Sequence, residues 1–191
     1  MRYVRFGLLA ALVALPASSL AQVRLSSDNF VDVLRAPAES VEIDVKDIHE
    51  RALERIKKAA GHKPQDRLPL LDELDKLPQL TLDIQFNSDS AIIRPESYNT
   101  LGRIADALYH PYLLDRKFLV VGHIEATGKR QNNLDLSQKR ASAIREALVT
   151  TFRVSPQRIV ALGLGEEQLQ DRGKAGASAN RRMQLIAIGN R

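Results

Sequence analysis

A carboxylate and a guanidinium, those of Glu125 and Arg140, are spaced so that they could hold a ligand between them. An apolar run at 118–121 leads Glu125 to a turn, and a helix opening near Asn132 or Asn133 carries Arg140 about two turns in. A carboxylate accepts an ammonium, and a planar guanidinium binds a carboxylate in a bidentate fork, so the pair suits a small zwitterion. On these residues alone, the simpler interpretation is a surface or helix-end ion pair that is worth little.

Strand and helix patterns alternate through the second half of the chain. Apolar and polar residues alternate at 80–86, which predicts a strand with one buried face. The elements predicted after it are a helix opening at Pro95, a strand at 117–124, a helix beginning at Asn133 or Asp135, a strand at 158–162, a loop at 163–179 and a strand at 182–188. The less regular alternation of the last strand indicates that both of its faces are covered. Two crossover helices on one side of a mixed sheet predict an α+β or α/β sandwich over residues 80–191.

The first 21 residues have the pattern of a cleavable secretory signal. Arg2 and Arg5 supply positive charge, an apolar run follows at 6–15, and small residues stand at 19–21 before the expected cut. The apolar run is shorter than the roughly 20 residues that a membrane helix needs, and nothing later in the chain approaches that length. We expect an exported mature chain beginning at Gln22, with an uncleaved N-terminal anchor as the alternative.

Residues 22–79 are interpreted as an N-terminal arm with short helices. A helix through 30–34 is predicted before Pro37, and the best helical spacing covers 45–60, ahead of a stop at Gly61. The segment at 70–77 is expected to lead into the domain. Without a membrane anchor of its own, the chain would need this arm to recruit an envelope membrane protein if tethering is its function.

Composition excludes several kinds of site. The 191 residues include no cysteine, so disulfides, thiolate metal sites, cysteine nucleophiles and lipid-modified cysteines are excluded. The formal net charge is +5, of which Arg2 and Arg5 contribute two charges, and aromatic residues make up only 5%. No basic run interleaves with aromatic residues, so we expect no nucleic-acid partner.

The candidate catalytic and metal-binding residues lack the partners that such chemistry requires. Ser137 has no evident base and orienting acid, so no enzyme is predicted. His123 lies two residues before Glu125, but no third metal ligand stands at a useful spacing, which favours a buried strand histidine and no metal site. Gly163 and Gly165 are not followed by the helix of a phosphate loop, so turn geometry is the better account of them. No cofactor is expected.

Five motifs together carry a family resemblance. They are F-N-S-D-S-A-I-I-R-P at 86–95, G-H-I-E-A-T-G at 122–128, N-L-D-L-S-Q-K-R-A at 133–141, G-L-G-E at 163–166 and N-R-R-M at 180–183. In this order and spacing they resemble the OmpA-like domain, the C-terminal peptidoglycan-associating module of outer membrane protein A, MotB and peptidoglycan-associated lipoprotein. The resemblance implies a β-α-β-α-β-β fold of the α+β class, with two helices on one face of a mixed sheet.

The resemblance also implies a ligand site. In the family, an Asp that ends a G-H-T-D turn and an Arg in the following helix hold the diaminopimelate of the peptidoglycan stem peptide. The corresponding residues here are Glu125, which is one methylene longer, and Arg140. The neighbouring family Thr is Ile124 in this chain, which removes a hydroxyl from the turn.

Further residues are assigned by the same resemblance. Asn133 would order the loop and the helix start, and a first turn lining the cleft would comprise Phe86, Asn87 and Asp89. The N-R-R motif would use Asn180 to brace a turn, with Arg181 and Arg182 as structural or rim residues. The family often has a Pro after G-x-G-E, whereas this chain has Gln168-Leu169.

The function implied is that of a non-catalytic peptidoglycan-binding protein of the periplasm, peripheral to the outer membrane. The alternative is an interaction module of the cell envelope that keeps the fold but has lost or altered its wall affinity, for which Ile124 and Glu125 are the indications. An envelope hydrolase is a third candidate.

Overall fold

The computed structural model describes residues 27–37, 43–58 and 69–190. The expected signal at 1–21 lies outside these ranges. The helices they contain are α1 Ser27–Leu34, α2 Val45–Lys58, α3 Pro69–Asp75, α4 Tyr98–Leu108 and α5 Arg130–Thr150. The strands are β1 Gln79–Leu82, β2 Arg116–His123, β3 Ile159–Gly165 and β4 Arg182–Asn190.

The four strands form one mixed sheet in the order β1-β4-β2-β3. Strand β2 runs parallel to β3, whereas β4 runs antiparallel to both β1 and β2. Helix α4 connects β1 to β2, and helix α5 connects β2 to β3, as expected for crossovers. The predicted α+β class and the β-α-β-α-β-β order are therefore confirmed.

One face of the sheet packs against α1, α4 and α5. Phe118 and Val120 point from the central strand β2 into this core, where Leu108 of α4 and Ile144 of α5 meet them. Phe30 of α1 joins the same cluster. The two predicted helices thus share one face with a helix of the arm.

The opposite face is covered by α2 and α3. Leu119 and Val121 point to this side of β2 and pack with Ile48 of α2 and with Leu71 and Leu74 of α3. Strand β4 also contributes side chains to both cores, so the prediction that both of its faces are covered is confirmed. That the arm supplies the second cover was not predicted. The division of the chain at 79/80 stays a prediction.

Helix α1 is fixed to the start of β2 through its C-terminal carbonyls. Arg116 donates through Nη1 to the carbonyls of Leu34 and Ala36, at 2.8 and 3.0 Å, and through Nη2 to that of Arg35 at 3.0 Å. A helix leaves its last carbonyls without intrahelical partners, and a guanidinium satisfies them well. This contact holds the beginning of the arm against the domain.

Helix α5 lies unusually close to the sheet because glycines face it. A Cβ at Gly163 would clash with the backbone of Gln138, and one at Gly122 would clash with the carbonyl of Ser137. Ser137 is fully buried, donates to the Leu134 carbonyl at 2.7 Å and accepts from the Gly165 amide at 2.8 Å. The account of Gly163 as a turn residue is therefore wrong, since β3 continues to Gly165.

Two predicted boundaries also differ from the structure. Strand β1 ends at Leu82, and Phe86 forms only an isolated bridge with Ile93. Helix α5 begins at Arg130, before the predicted starts at Asn133 and Asp135. The segment at 70–77 is largely helical, within α3. Within the part of the chain that the structure describes, no helix has the length and apolarity to cross a bilayer.

Candidate ligand-binding site

A cleft of about 740 Å³ lies beside the end of β2, between the loop after β1, the first turns of α5 and the start of β4. The six residues assigned to ligand binding all line it, namely Phe86, Asn87, Asp89, Glu125, Asn133 and Arg140. Arg181 and Arg182 line it as well. The sequence motifs therefore converge on one cleft, although they come from four separate parts of the chain.

Arg140 is buried in the wall of this cleft, with only 8% of the residue exposed. Its Nε donates to the Ser90 carbonyl at 2.9 Å, and its guanidinium carbon lies 4.9 Å from the centroid of the Phe86 ring. No described carboxylate pairs with it within 4.0 Å, and both Nη groups lack a described hydrogen-bond partner. Burial lowers the pKa of Arg140, and the nearby Arg181 charge lowers it further, while Glu125 and Asp89 raise it. The guanidinium of Arg140 is therefore a fixed, partly desolvated cation whose Nη groups are available to donate hydrogen bonds to a ligand.

The loop at 86–93 supplies the carbonyl that orients Arg140. Its ends meet in the bridge between Phe86 and Ile93, and the Asn87 amide donates to the Ile92 carbonyl at 3.0 Å. Asp89 has a φ of 48°, a left-handed conformation that Asp tolerates better than most residues. The side chains of Asn87 and Asp89 are left exposed at the cleft.

Glu125 lies on the other wall, but its ion-pair partner is not Arg140. Its Oε1 pairs with Nη1 of Arg181 at 2.9 Å; the Glu125 side chain is 15% exposed and that of Arg181 is 56% exposed. The other oxygen, Oε2, is buried and has no hydrogen-bond partner among the described residues. Glu125 therefore keeps one unsatisfied acceptor, while a surface arginine neutralises its charge.

Asn133 ties the loop bearing Glu125 to helix α5. Its Nδ2 donates to the carbonyl of Thr127 at 2.9 Å, to that of Glu125 at 3.3 Å, and to Oε2 of Glu166 at 2.7 Å. The side chain thus reaches back to the loop, whereas a helix-capping residue would bond amides of its own first turn. The sequence pattern predicted that α5 would begin at Asn133 or Asp135. The helix begins earlier, at Arg130, and Asn133 does not act as its cap.

Residues 85–183 match the model of the OmpA family, and this stretch is more than half of the chain. The chain belongs to the OmpA family. Ile124, which stands at the Thr position of the OmpA-family motif, is buried, and its amide donates to the Gly165 carbonyl at 2.9 Å. The turn is therefore closed by backbone contacts without the missing hydroxyl.

Curated relatives from three kinds of protein match part of this chain. Outer membrane porin F of Pseudomonas fluorescens is 32% identical over 108 residues, covering 56% of this chain and 32% of that protein. Peptidoglycan-associated lipoprotein of Mesorhizobium japonicum is 36% identical over 87 residues, covering 44% and 49%. Peptidoglycan-binding protein ArfA of Mycobacterium bovis is 30% identical over 105 residues, covering 54% and 31%. The chain thus spans from 31% to 49% of the length of these relatives.

The N-R-R motif of this OmpA-family domain divides between a loop and the cleft. Asn180 is fully buried; its Oδ1 accepts from the Asp171 amide at 2.8 Å, and its Nδ2 donates to three loop carbonyls, those of Asp171, Lys174 and Ala175. Arg182 donates through Nη2 to the Gln168 carbonyl at 3.2 Å. Asn180 therefore braces the loop from inside, and the two arginines reach the cleft.

A run of buried polar residues after β3 was not anticipated from the sequence. Glu167 is 3% exposed and receives a bidentate pair from Arg130, with Nε at 2.6 Å and Nη2 at 2.7 Å. Arg55 of helix α2 lies 3.5 Å from the same carboxylate. The G-L-G-E motif pointed to Glu166, but no local pattern identifies partners that lie so far along the chain.

Proposed function

We propose that this OmpA-family chain binds peptidoglycan without catalysis, by holding the zwitterionic end of diaminopimelate in the stem peptide. The observation that carries the proposal is that Arg140 and Glu125 line the same cleft, and that Arg140 has no carboxylate partner among the described residues. They form no ion pair with each other, so a ligand can lie between them.

The chemistry of the two walls is complementary to such a ligand. Both Nη groups of Arg140 can donate to one carboxylate in the bidentate geometry that gives guanidinium its selectivity. An incoming ammonium can be accepted by Oε2 of Glu125, whose burial without a partner carries a desolvation cost that a charged donor would offset. The extra methylene of glutamate is accommodated within the cleft of about 740 Å³.

The names of two relatives support this assignment. One is a peptidoglycan-associated lipoprotein and the other a peptidoglycan-binding protein, 36% and 30% identical to this chain over 87 and 105 residues. We extend their wall association to this chain as part of the proposal, together with export through residues 1–21 to the periplasm and a position peripheral to the outer membrane.

A second candidate is an envelope interaction module with lost or altered wall affinity. The ion pair between Glu125 and Arg181 favours it, because the carboxylate that should receive the ammonium is already neutralised. Failure of the wild-type chain to bind wall material, together with co-purification of a defined envelope protein, would select this function.

The absence of catalysis belongs to the same proposal. The hydroxyl of Ser137, the serine considered as a nucleophile, is buried between a helix carbonyl and a strand amide. We therefore expect no soluble muropeptides to be released when the protein is incubated with sacculi.

Recruitment of an envelope membrane protein by residues 22–79 is a further part of the proposal. The apolar sides of the described arm helices, including Phe30, Ile48 and Leu71, are already buried against the sheet. Such a partner would therefore contact the exposed polar sides. If alanine substitutions of charged residues on these exposed sides left the set of cross-linked partners unchanged, this role would be removed.

The function can be tested by retention on purified sacculi of the diaminopimelate type. Wild-type protein should be retained and Arg140→Ala should be released, whereas Lys139→Ala should behave as wild type. Lys139 is the matched control because it is the neighbouring, exposed cation of the same helix. Equal retention of the Arg140 and Lys139 variants would exclude the proposed site.

A further inference from the structure

Three consecutive polar residues, Glu166, Glu167 and Gln168, are buried where β3 ends, with exposures of 8%, 3% and 4%. Burying a polar side chain costs free energy unless it forms hydrogen bonds or ion pairs. The partners of these three residues therefore show which parts of the chain they connect. The partners lie on two opposite sides, toward the ligand cleft and toward the N-terminal arm.

On the cleft side, the run holds the loop that carries Glu125. Oε2 of Glu166 accepts from Nδ2 of Asn133 at 2.7 Å, and the same nitrogen donates to the loop carbonyls of Glu125 and Thr127. The carbonyl of Gln168 accepts from Arg182, which lines the cleft. A shift of this run would therefore move both the loop and the start of β4.

On the arm side, Glu167 and Gln168 form polar contacts with helices α2 and α3. Nε of Arg55 in α2 lies 3.5 Å from Oε2 of Glu167. Nε2 of Gln168 donates to Oδ1 of Asp75 in α3 at 2.7 Å, and lies 3.5 Å from the Leu71 carbonyl.

We infer that α2 and α3 position the ligand loop, with Arg55 and Asp75 acting as positioning residues through the run Glu166 to Gln168. Neither residue lines the cleft, so neither would touch a ligand. The effect of Arg55 and Asp75 on ligand affinity rests on the proposed function. Their effect on the order of the loop that carries Glu125 does not depend on that function.

The test uses the full mature chain and reads the loop directly by amide hydrogen exchange. The Ala126 amide donates to the Ala175 carbonyl at 2.9 Å, so its exchange reports the order of the loop. The variant Arg55→Ala/Asp75→Ala should exchange faster at Ala126 by about tenfold, the effect of losing one hydrogen bond to a charged group. The Val120 amide, in the middle of β2, should be unchanged.

Two variants serve as matched controls. Arg51→Ala removes an exposed arginine of the same helix that pairs only with Asp47 among the contacts described for it, and should leave exchange unaltered. Asp75→Asn keeps an acceptor oxygen for Gln168, and combined with native Arg55 should restore the wild-type rate.

A second measurement determines the affinity for a soluble stem tripeptide that ends in diaminopimelate. The double alanine variant should bind about tenfold more weakly than wild type, in step with its exchange rate. Unchanged exchange at Ala126, or an equal increase at Val120, would overturn the inference. If the wild type fails to bind the tripeptide, the proposed function fails, and the exchange data alone then decide whether the arm orders the loop.

Discussion

The guanidinium of Arg140 stacks over the ring of Phe86, with its central carbon 4.9 Å from the ring centroid, while its Nε donates to the Ser90 carbonyl. These contacts engage the guanidinium and its Nε, and neither Nη group has a hydrogen-bond partner among the described residues. Arg140 also lines the cleft. A side chain with many rotamers is thereby held in one orientation before any ligand arrives, which reduces the entropy lost on binding.

The stacking contact leads to a prediction for Phe86. Phe86→Leu should weaken binding of the diaminopimelate tripeptide by about two- to fivefold, because a partly exposed cation–π contact is worth about 0.5–1 kcal/mol. Phe86→Tyr retains the ring and should bind as wild type. Isothermal titration calorimetry of the three proteins makes the comparison, and equal affinities for the Leu and Tyr variants would show that the ring does not orient Arg140.

The ion pair between Arg181 and Glu125 leads to a gain-of-affinity prediction. Because Arg181 competes with the ligand ammonium for this carboxylate, Arg181→Ala should strengthen binding of the tripeptide by up to about fivefold, the scale of an exposed ion pair. The difference between variant and wild type should shrink as salt is added, because exposed charges are screened. A loss of affinity in the variant would instead indicate that Arg181 contacts the ligand.

The close approach of α5 to β3 leads to a prediction about stability. Gly163→Ala should lower the unfolding free energy by about 1–3 kcal/mol, since the added Cβ meets the Gln138 backbone and the helix must shift. In a domain of this size, that corresponds to a decrease in Tm of several degrees, on the order of 2–4 °C per kcal/mol. Gly173→Ala, at an exposed site where the new Cβ would meet only a side-chain oxygen at 3.4 Å, is the control. Equal melting temperatures would show that the helix can retreat without cost.

The order of strands and helices was predictable because each element buries a face. Alternation at Leu80 to Leu82, and the continuous apolar run from Phe118 to Val121, follow directly from one-sided and two-sided burial in the sheet. The motifs also brought Glu125 and Arg140 to one cleft, since motif spacing carries information about contacts between distant segments.

The rest depended on contacts that leave no local pattern. In the sequence, Asn133 resembles the first residue of a helix. In the structure, its side-chain amide donates to the Thr127 carbonyl and to the Glu166 carboxylate, which only the folded chain brings near it. The partners of Glu167, Arg55 and Arg130, lie far from it in sequence. The helical spacing at 45–60 gave no indication that α2 covers a face of the sheet.

Recognition of a zwitterion by Arg140 and Glu125 can be measured in a single titration. Two soluble stem tripeptides are compared, one ending in diaminopimelate and the other in lysine, which keeps the side-chain ammonium but lacks the second carboxylate. Wild-type protein should bind the diaminopimelate peptide at least about tenfold more tightly, because the missing carboxylate leaves the Arg140 fork unpaired, and Arg140→Ala should abolish the preference. Equal affinity of the wild type for the two peptides, or no binding of either, would show that the cleft does not recognise the zwitterion of diaminopimelate.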